Sequence, residues 1–210
     1  MSLPPPALDR PALIVVDMQN DFVRRGAPLE VPDARLTLPT HQRLIAAFRA
    51  VPAPVLYTRF IATPEPSLLW NWSPQCAPPT SMCRPGVRRR YDDVQGERDA
   101  ADVVDEIAPQ PGDTLIDKYG YGAFHGTRLS DTLRQRGVRT LIITGTVTQI
   151  CVEETAREAF HHGFETIVVA DAVSSFAPDL HAATLKNFAM KFGWVENADD
   201  VLLRLRTIGA

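Results

Sequence analysis

Five short runs rich in Val, Ile and Leu recur along the chain: Ala12–Val16, Val55–Phe60, Thr114–Asp117, Thr140–Thr144 and Thr166–Ala170. Each is nearly continuous rather than alternating, the pattern of strands covered on both faces in a parallel sheet. Between and after them lie segments with helical spacing: Pro39–Ala50, Glu97–Ile107, Gly126–Arg136, Ile150–His162, Asp179–Lys191 and Asn197–Leu205. Pro39 suits a first helical turn, where its missing N–H would have no partner anyway. Beyond Cys151, the residues Val152, Ala156, Ala159 and Phe160 form an apolar stripe. Strand–helix alternation with right-handed crossovers predicts an α/β fold, a three-layer α-β-α sandwich around a mostly parallel, doubly wound sheet. The 210 residues suit one domain spanning 1–210.

One stretch breaks the alternation. Ala62–Tyr91 carries six prolines, Trp70 and Trp72, and ends in Arg88, Arg89 and Arg90. An irregular segment of this length is usually functional or disordered, and the tryptophans argue against disorder. It reads as a Pro/Trp-rich loop insertion at about 62–91, either a lid or an arm for oligomer contacts. The arginine triplet reads as a solvated turn, with a clamp for a substrate carboxylate as the alternative.

Composition narrows the partners. Lys and Arg number 22 against 25 Asp and Glu, a formal charge of −3, which is not the basic footprint of a nucleic-acid binder. No apolar run reaches membrane-spanning length. Met1–Pro6 shows no basic region followed by an apolar stretch, so no secretory signal is expected and the location reads as cytoplasmic. Three cysteines, Cys76, Cys83 and Cys151, are no disulfide framework. The spacing of Cys76 and Cys83 is poor for a metal, and the adjacent His161 and His162 would point apart on a helix. No metal and no cofactor are expected.

In doubly wound folds the site lies beyond the carboxyl ends of the strands. Asp17 follows the first run, Lys118 the third, and Cys151 comes shortly after the fourth, at a helix start. A thiolate at a first helical turn gains from the macrodipole and free N–H groups, although a buried structural cysteine is the plainer reading. A nearby ammonium favours a thiolate. A carboxylate at the end of an apolar strand is costly unless it is paired or working. A capping Asp17 and a surface Lys118 are the alternatives. Together the three residues suggest nucleophilic catalysis with a carboxylate base.

Leu13–Phe22, Asp117–Leu129, Thr144–Ala156, Val168–Ser174 and His181 carry a resemblance. In these stretches the chain is similar to the isochorismatase-like cysteine hydrolase family. The resemblance implies a catalytic trio of Asp17, Lys118 and Cys151, with Cys151 as nucleophile and Asp17 as base and then acid. It also implies a cis peptide at Thr146–Val147 and an oxyanion hole from the backbone N–H groups of Val147 and Cys151. Phe22 would line the pocket, and Trp70, Tyr121 and Phe124 are candidate substrate contacts. For Tyr119, Tyr121 and Phe124, core packing is the alternative.

Within that family the cysteine favours C–N hydrolysis through a thioester over vinyl-ether cleavage. The segment Tyr57–Thr63 lacks the Asp-x-His metal motif of nicotinamidases. The implied branch is therefore metal-free, resembling ureidoacrylate, N-carbamoyl and biuret-type amidohydrolases. The implied substrate is a small amide or ureide and the implied assembly a homo-oligomer. Departures from the family pattern are Gln149 for Asn or Asp, Gly120 for Arg and Gly122 for Ser; the glycines would widen the pocket or remove polar contacts. An isochorismatase-type vinyl-ether or ester hydrolase and a catalytically silent binding protein are the competing expectations.

Overall fold

The structure is a computed structural model that describes residues 4–208. Met1, Ser2 and Leu3, part of the expected signal-free terminus, lie outside the described residues. Its elements are β1 (Pro11–Val16), α1 (Asn20–Val23), α2 (Leu38–Arg49), β2 (Val55–Phe60), α3 (Leu69–Trp72), β3 (Arg88–Arg90), β4 (Glu97–Asp99) and β5 (Thr114–Lys118). Then come α4 (Leu129–Gln135), β6 (Thr140–Thr146), α5 (Glu153–His161), β7 (Glu165–Ser174), α6 (Pro178–Lys191), β8 (Trp194–Glu196) and α7 (Ala198–Leu205).

Six strands form one parallel sheet in the order β5-β2-β1-β6-β7-β8. Side chains alternate across it. Leu13, Val15, Tyr57, Ile142 and Ile167 pack with Leu44, Phe48, Val201 and Leu205 of α2 and α7. Ile14, Val16, Leu56, Ile143 and Val168 pack with Leu133, Ala156 and Phe188 of α4, α5 and α6. Both faces are therefore covered, which is why the strands read as continuous apolar runs. Strand order reverses between β1 and β6, so the switch point that opens a crevice in such sheets falls between these two central strands.

Three expectations are corrected. Glu97–Ile107 is not a helix: it is β4, an irregular stretch and a 3-10 turn at Asp105–Ile107. Its apolar residues are buried as a helix would bury them, but its backbone is claimed by the segment after β1. Asn20 N–H donates to Asp102 O (2.9 Å), Asp21 N–H to Ala100 O (3.3 Å) and Val104 N–H to Met18 O (3.0 Å). Arg88–Arg90 is not a turn but one strand of an antiparallel hairpin with Glu97–Asp99. Phe160 leaves the core stripe and is half-exposed.

Candidate active site

Asp17 sits one residue past β1 with φ +48°, a left-handed conformation that costs a non-glycine residue about 1–3 kcal/mol and collects at functional sites. Thr58 of β2 holds it. The Thr58 hydroxyl donates to Asp17 Oδ1 at 2.6 Å, and Asp17 N–H donates back to Thr58 Oγ1 at 3.2 Å. Asp17 Oδ2 meets the Lys118 ammonium at 2.7 Å, as an ion pair rather than a well-directed hydrogen bond. Both side chains are fully buried.

Lys118 ends β5, two strands from β1, so its backbone stands roughly 10 Å from that of β1. Its long stem crosses the end of β2 and sets the ammonium 5.5 Å from the centroid of the Phe60 ring. The ammonium also donates to Gly120 O at 3.0 Å and Tyr121 O at 2.8 Å. Burial works against this charge, but Asp17 and Cys151 more than offset it, so Lys118 is held above the ordinary lysine value.

Cys151 follows β6, inside a π-helical turn at Thr148–Val152 that leads into α5. Val152 N–H reaches Val147 O at 3.2 Å, five residues back. Such turns are rare and gather at functional sites. The peptide between Thr146 and Val147 is cis. Just before it, Gly145 faces Val16 across the β1–β6 pairing. Its φ is +112°, and a Cβ there would stand 2.0 Å from Val16 O, so only glycine lets the two strands close together at the switch point.

The Cys151 side chain interacts with both Asp17 and Lys118, and the three polar groups meet in one buried place. Burial pushes the Cys151 thiol up to about 12; Lys118 pulls against that and Asp17 adds to it. Burial and Asp17 thus hold the sulfur toward the thiol, against the pull of the neighbouring ammonium.

Around this centre, Phe22 is buried and edge-on to Phe60, with ring centroids 6.4 Å apart. Trp70 is partly buried against the same core. Tyr121 Oη lies 3.5 Å from Ser73 Oγ, which joins the loop after β5 to the 62–91 segment. Phe124 is buried in the core cluster that also contains Cys151. Its ring stacks on His162 at 4.8 Å and leans on Phe164. His162 caps the far end of α5, eleven residues beyond Cys151 and roughly 16 Å away at 1.5 Å per residue. Tyr119 is exposed. Three surface cavities of about 650, 320 and 380 Å3 lie along β5 and share Leu115; none of the three is lined by Asp17, Lys118 or Cys151.

Sequence reasoning passed over several buried groups. Gln19 donates to Phe60 O and Ala101 O, both at 2.9 Å, and accepts from Phe60 N–H at 2.8 Å, tying β2 to the segment after β4. Asp21, fully buried, accepts from Tyr91 Oη–H at 2.6 Å, Arg89 Nε–H at 2.9 Å and Cys83 N–H at 2.8 Å. Arg89 thus pairs with a carboxylate of its own chain. Thr148 Oγ1 donates to Ser174 O at 3.0 Å and lies 2.9 Å from His181 Nδ1. Only the apolar run ending at Asp17 and the polar cluster after it hinted at these roles.

Among the described residues, no three His, Cys, Asp or Glu side chains cluster as a metal site. At the end of β2, Arg59 binds Asp117 and Asp102 at 2.8 and 2.9 Å. Among the described residues, no helix is long and apolar enough to cross a membrane.

A thiol beside a buried Asp–Lys pair, at the switch point of a doubly wound sheet, is a set of groups with the chemistry for nucleophilic hydrolysis. Residues 11–200 match the Isochorismatase domain, and the chain belongs to that family. It is 36% identical to the ureidoacrylate amidohydrolase RutB of Stutzerimonas stutzeri over 200 residues, which covers 90% of this chain and 79% of that one. In structure it resembles a cysteine hydrolase from Pseudomonas syringae pv. phaseolicola, with a TM-score of 0.86, 28% identity, and 99% of this chain and 97% of that one covered. An N-carbamoylsarcosine amidase from Thermoplasma acidophilum aligns with a TM-score of 0.74 at 30% identity, over 91% of this chain and 98% of that one.

Proposed function

We propose that this protein is an amidohydrolase that cleaves a C–N bond of a small amide or ureide through Cys151. The observation that carries this reading is the buried Asp17–Lys118 pair at 2.7 Å beside the Cys151 thiol. Names of relatives add support, since they include a ureidoacrylate amidohydrolase and an N-carbamoylsarcosine amidase.

In the proposed sequence, Asp17 takes the thiol proton as sulfur attacks the carbonyl carbon. The charge on oxygen is met by the backbone N–H groups of Val147 and Cys151. Asp17 then returns the proton to the departing nitrogen, the C–N bond breaks, and a thioester remains on Cys151. Water, deprotonated by Asp17, attacks that thioester and frees the thiol. For a ureide the acid released is a carbamic acid, which falls apart to carbon dioxide and ammonia. Lys118 stays an ammonium throughout: it donates to the Gly120 and Tyr121 carbonyls and is ion-paired with Asp17, so it stabilises charge rather than shuttling a proton. Phe22, Trp70 and Tyr121 would contact substrate. The reading needs no metal, acts within residues 1–210 as one domain, and places the enzyme in the cytoplasm as a homo-oligomer.

The test is ammonia release by wild type and Cys151→Ala on ureidoacrylate, N-carbamoyl amino acids, biuret, nicotinamide and simple amides, with and without chelator. Chelator-resistant release that disappears in Cys151→Ala is expected. Turnover that persists in Cys151→Ala, or no release from any compound, would overturn it.

A further inference from the structure

Glu158 lies on α5, seven residues beyond Cys151 and roughly 10 Å along the helix. Its Oε2 accepts the Phe124 N–H at 2.8 Å. A Cβ at Gly122 would stand 2.3 Å from the same oxygen. The carboxylate therefore occupies the space a side chain at 122 would fill. The missing Cβ at Gly122 makes room for Glu158 rather than for substrate, unlike Gly120, which has nothing within 4 Å of a built Cβ.

The loop fixed in this way is the one whose Gly120 and Tyr121 carbonyls hold the Lys118 ammonium. An unbroken line of contacts runs from α5, the helix that follows the thiol, through Glu158, the loop and Lys118 to Asp17. Phe124 is pinned a second time by its stack on His162, one residue past α5. Backbone carbonyls on an unanchored loop would not keep an ammonium in one place.

We infer that Glu158 is a positioning residue: it seats the Gly120–Phe124 loop on α5 and so keeps Lys118 against Asp17 and Cys151. This rests on the amidohydrolase reading for its effect on turnover, but not for its effect on the thiol.

The experiment compares wild type, Glu158→Ala, Glu158→Gln and Gly122→Ala, plus the Gly122→Ala/Glu158→Ala double variant. Two quantities are read: kcat and KM on the best ureide or amide, and the pH profile of Cys151 alkylation by iodoacetamide, with the site identified by mass spectrometry. Glu158→Ala should lower kcat by about tenfold with KM little changed, as expected when a catalytic group shifts by a fraction of an ångström. It should also move the alkylation profile to higher pH, because the ammonium no longer sits beside the thiol. Glu158→Gln, which keeps an acceptor oxygen, should restore both. Gly122→Ala should resemble Glu158→Ala, yet add little in the double variant. An unmoved profile in both Glu158→Ala and Gly122→Ala, or full additivity in the double variant, would overturn the inference. If Glu158→Ala does not fold, Glu158→Gln and Gly122→Ala carry the same comparison. Wild type without turnover would sink the amidohydrolase reading, while the alkylation profiles would still decide the role of Glu158.

Discussion

The Lys118 ammonium lies 2.7 Å from the Asp17 carboxylate although their strands, β5 and β1, are not neighbours. The lysine stem bridges the strand between them. Because both charges are fully buried, each is tolerated only in the presence of the other. Removing one partner of such a pair costs about 3–5 kcal/mol. Lys118→Met and Asp17→Asn should each destabilise the fold on that scale in urea titrations, and the double variant should lose less than the sum. Strict additivity would mean the pair is not energetically coupled.

A second expectation concerns the thiol. Burial raises the Cys151 value to about 12, so the protonated form dominates below that pH. Without substrate, alkylation of Cys151 should be slow at neutral pH and climb steadily into the alkaline range. Lys118→Met removes the group that favours the thiolate and should push the climb higher still. A rate that is flat between pH 6 and 8 would show a resting thiolate instead.

Thr58 is the hydroxyl that fixes the base, at 2.6 Å from Asp17 Oδ1. Thr58→Val leaves that buried oxygen without its donor, a loss of about 1–3 kcal/mol. Stability should fall on this scale and kcat by about tenfold or more, with Thr58→Ser recovering most of it. Steady-state kinetics of the three proteins, with equal activity in Thr58→Val as the contrary result, decides this.

His41 provides a pH signature unrelated to catalysis. It is fully buried, and burial lowers its value from 6.5 to about 4. Nδ1 lies 2.9 Å from Thr37 O, and Nε2 has no partner. Between pH 6.5 and 4 the unfolded chain binds this proton and the folded chain resists it. Stability contributed by neutral His41 is therefore complete above pH 6.5 and lost as pH falls, by about 3 kcal/mol at pH 4. His41→Asn, which can keep the bond to Thr37, should flatten that part of the urea-measured stability curve; an unchanged acid slope would contradict the assignment.

The sheet was legible because every strand of its centre is covered on both sides. Val55–Phe60 agrees with the sequence reading at both ends, and β1 and β5 differ from it by one residue. The edge strand β8 and the β3–β4 hairpin were not legible, being only three residues each. Glu97–Ile107 misled because its apolar spacing is helical while its hydrogen bonds go to Met18, Asn20 and Asp21, partners some eighty residues away. At the site, strand-end position singled out Asp17, Lys118 and Cys151. Thr58 and Glu158 were hidden because each acts on a residue distant in sequence.

Asp21 has a wider consequence. It ties Cys83, Arg89 and Tyr91, the far half of the long insertion, to the helical turn that follows the base. The near half differs: Pro64–Leu68 and Trp72 are exposed. One stretch is thus moored to the machinery, and Pro64–Leu68 in the other is open to solvent. Evolution can rewrite Pro64–Leu68 at little cost to the chain's foundations, so new specificities have a place to arise without the bond-breaking apparatus being rebuilt.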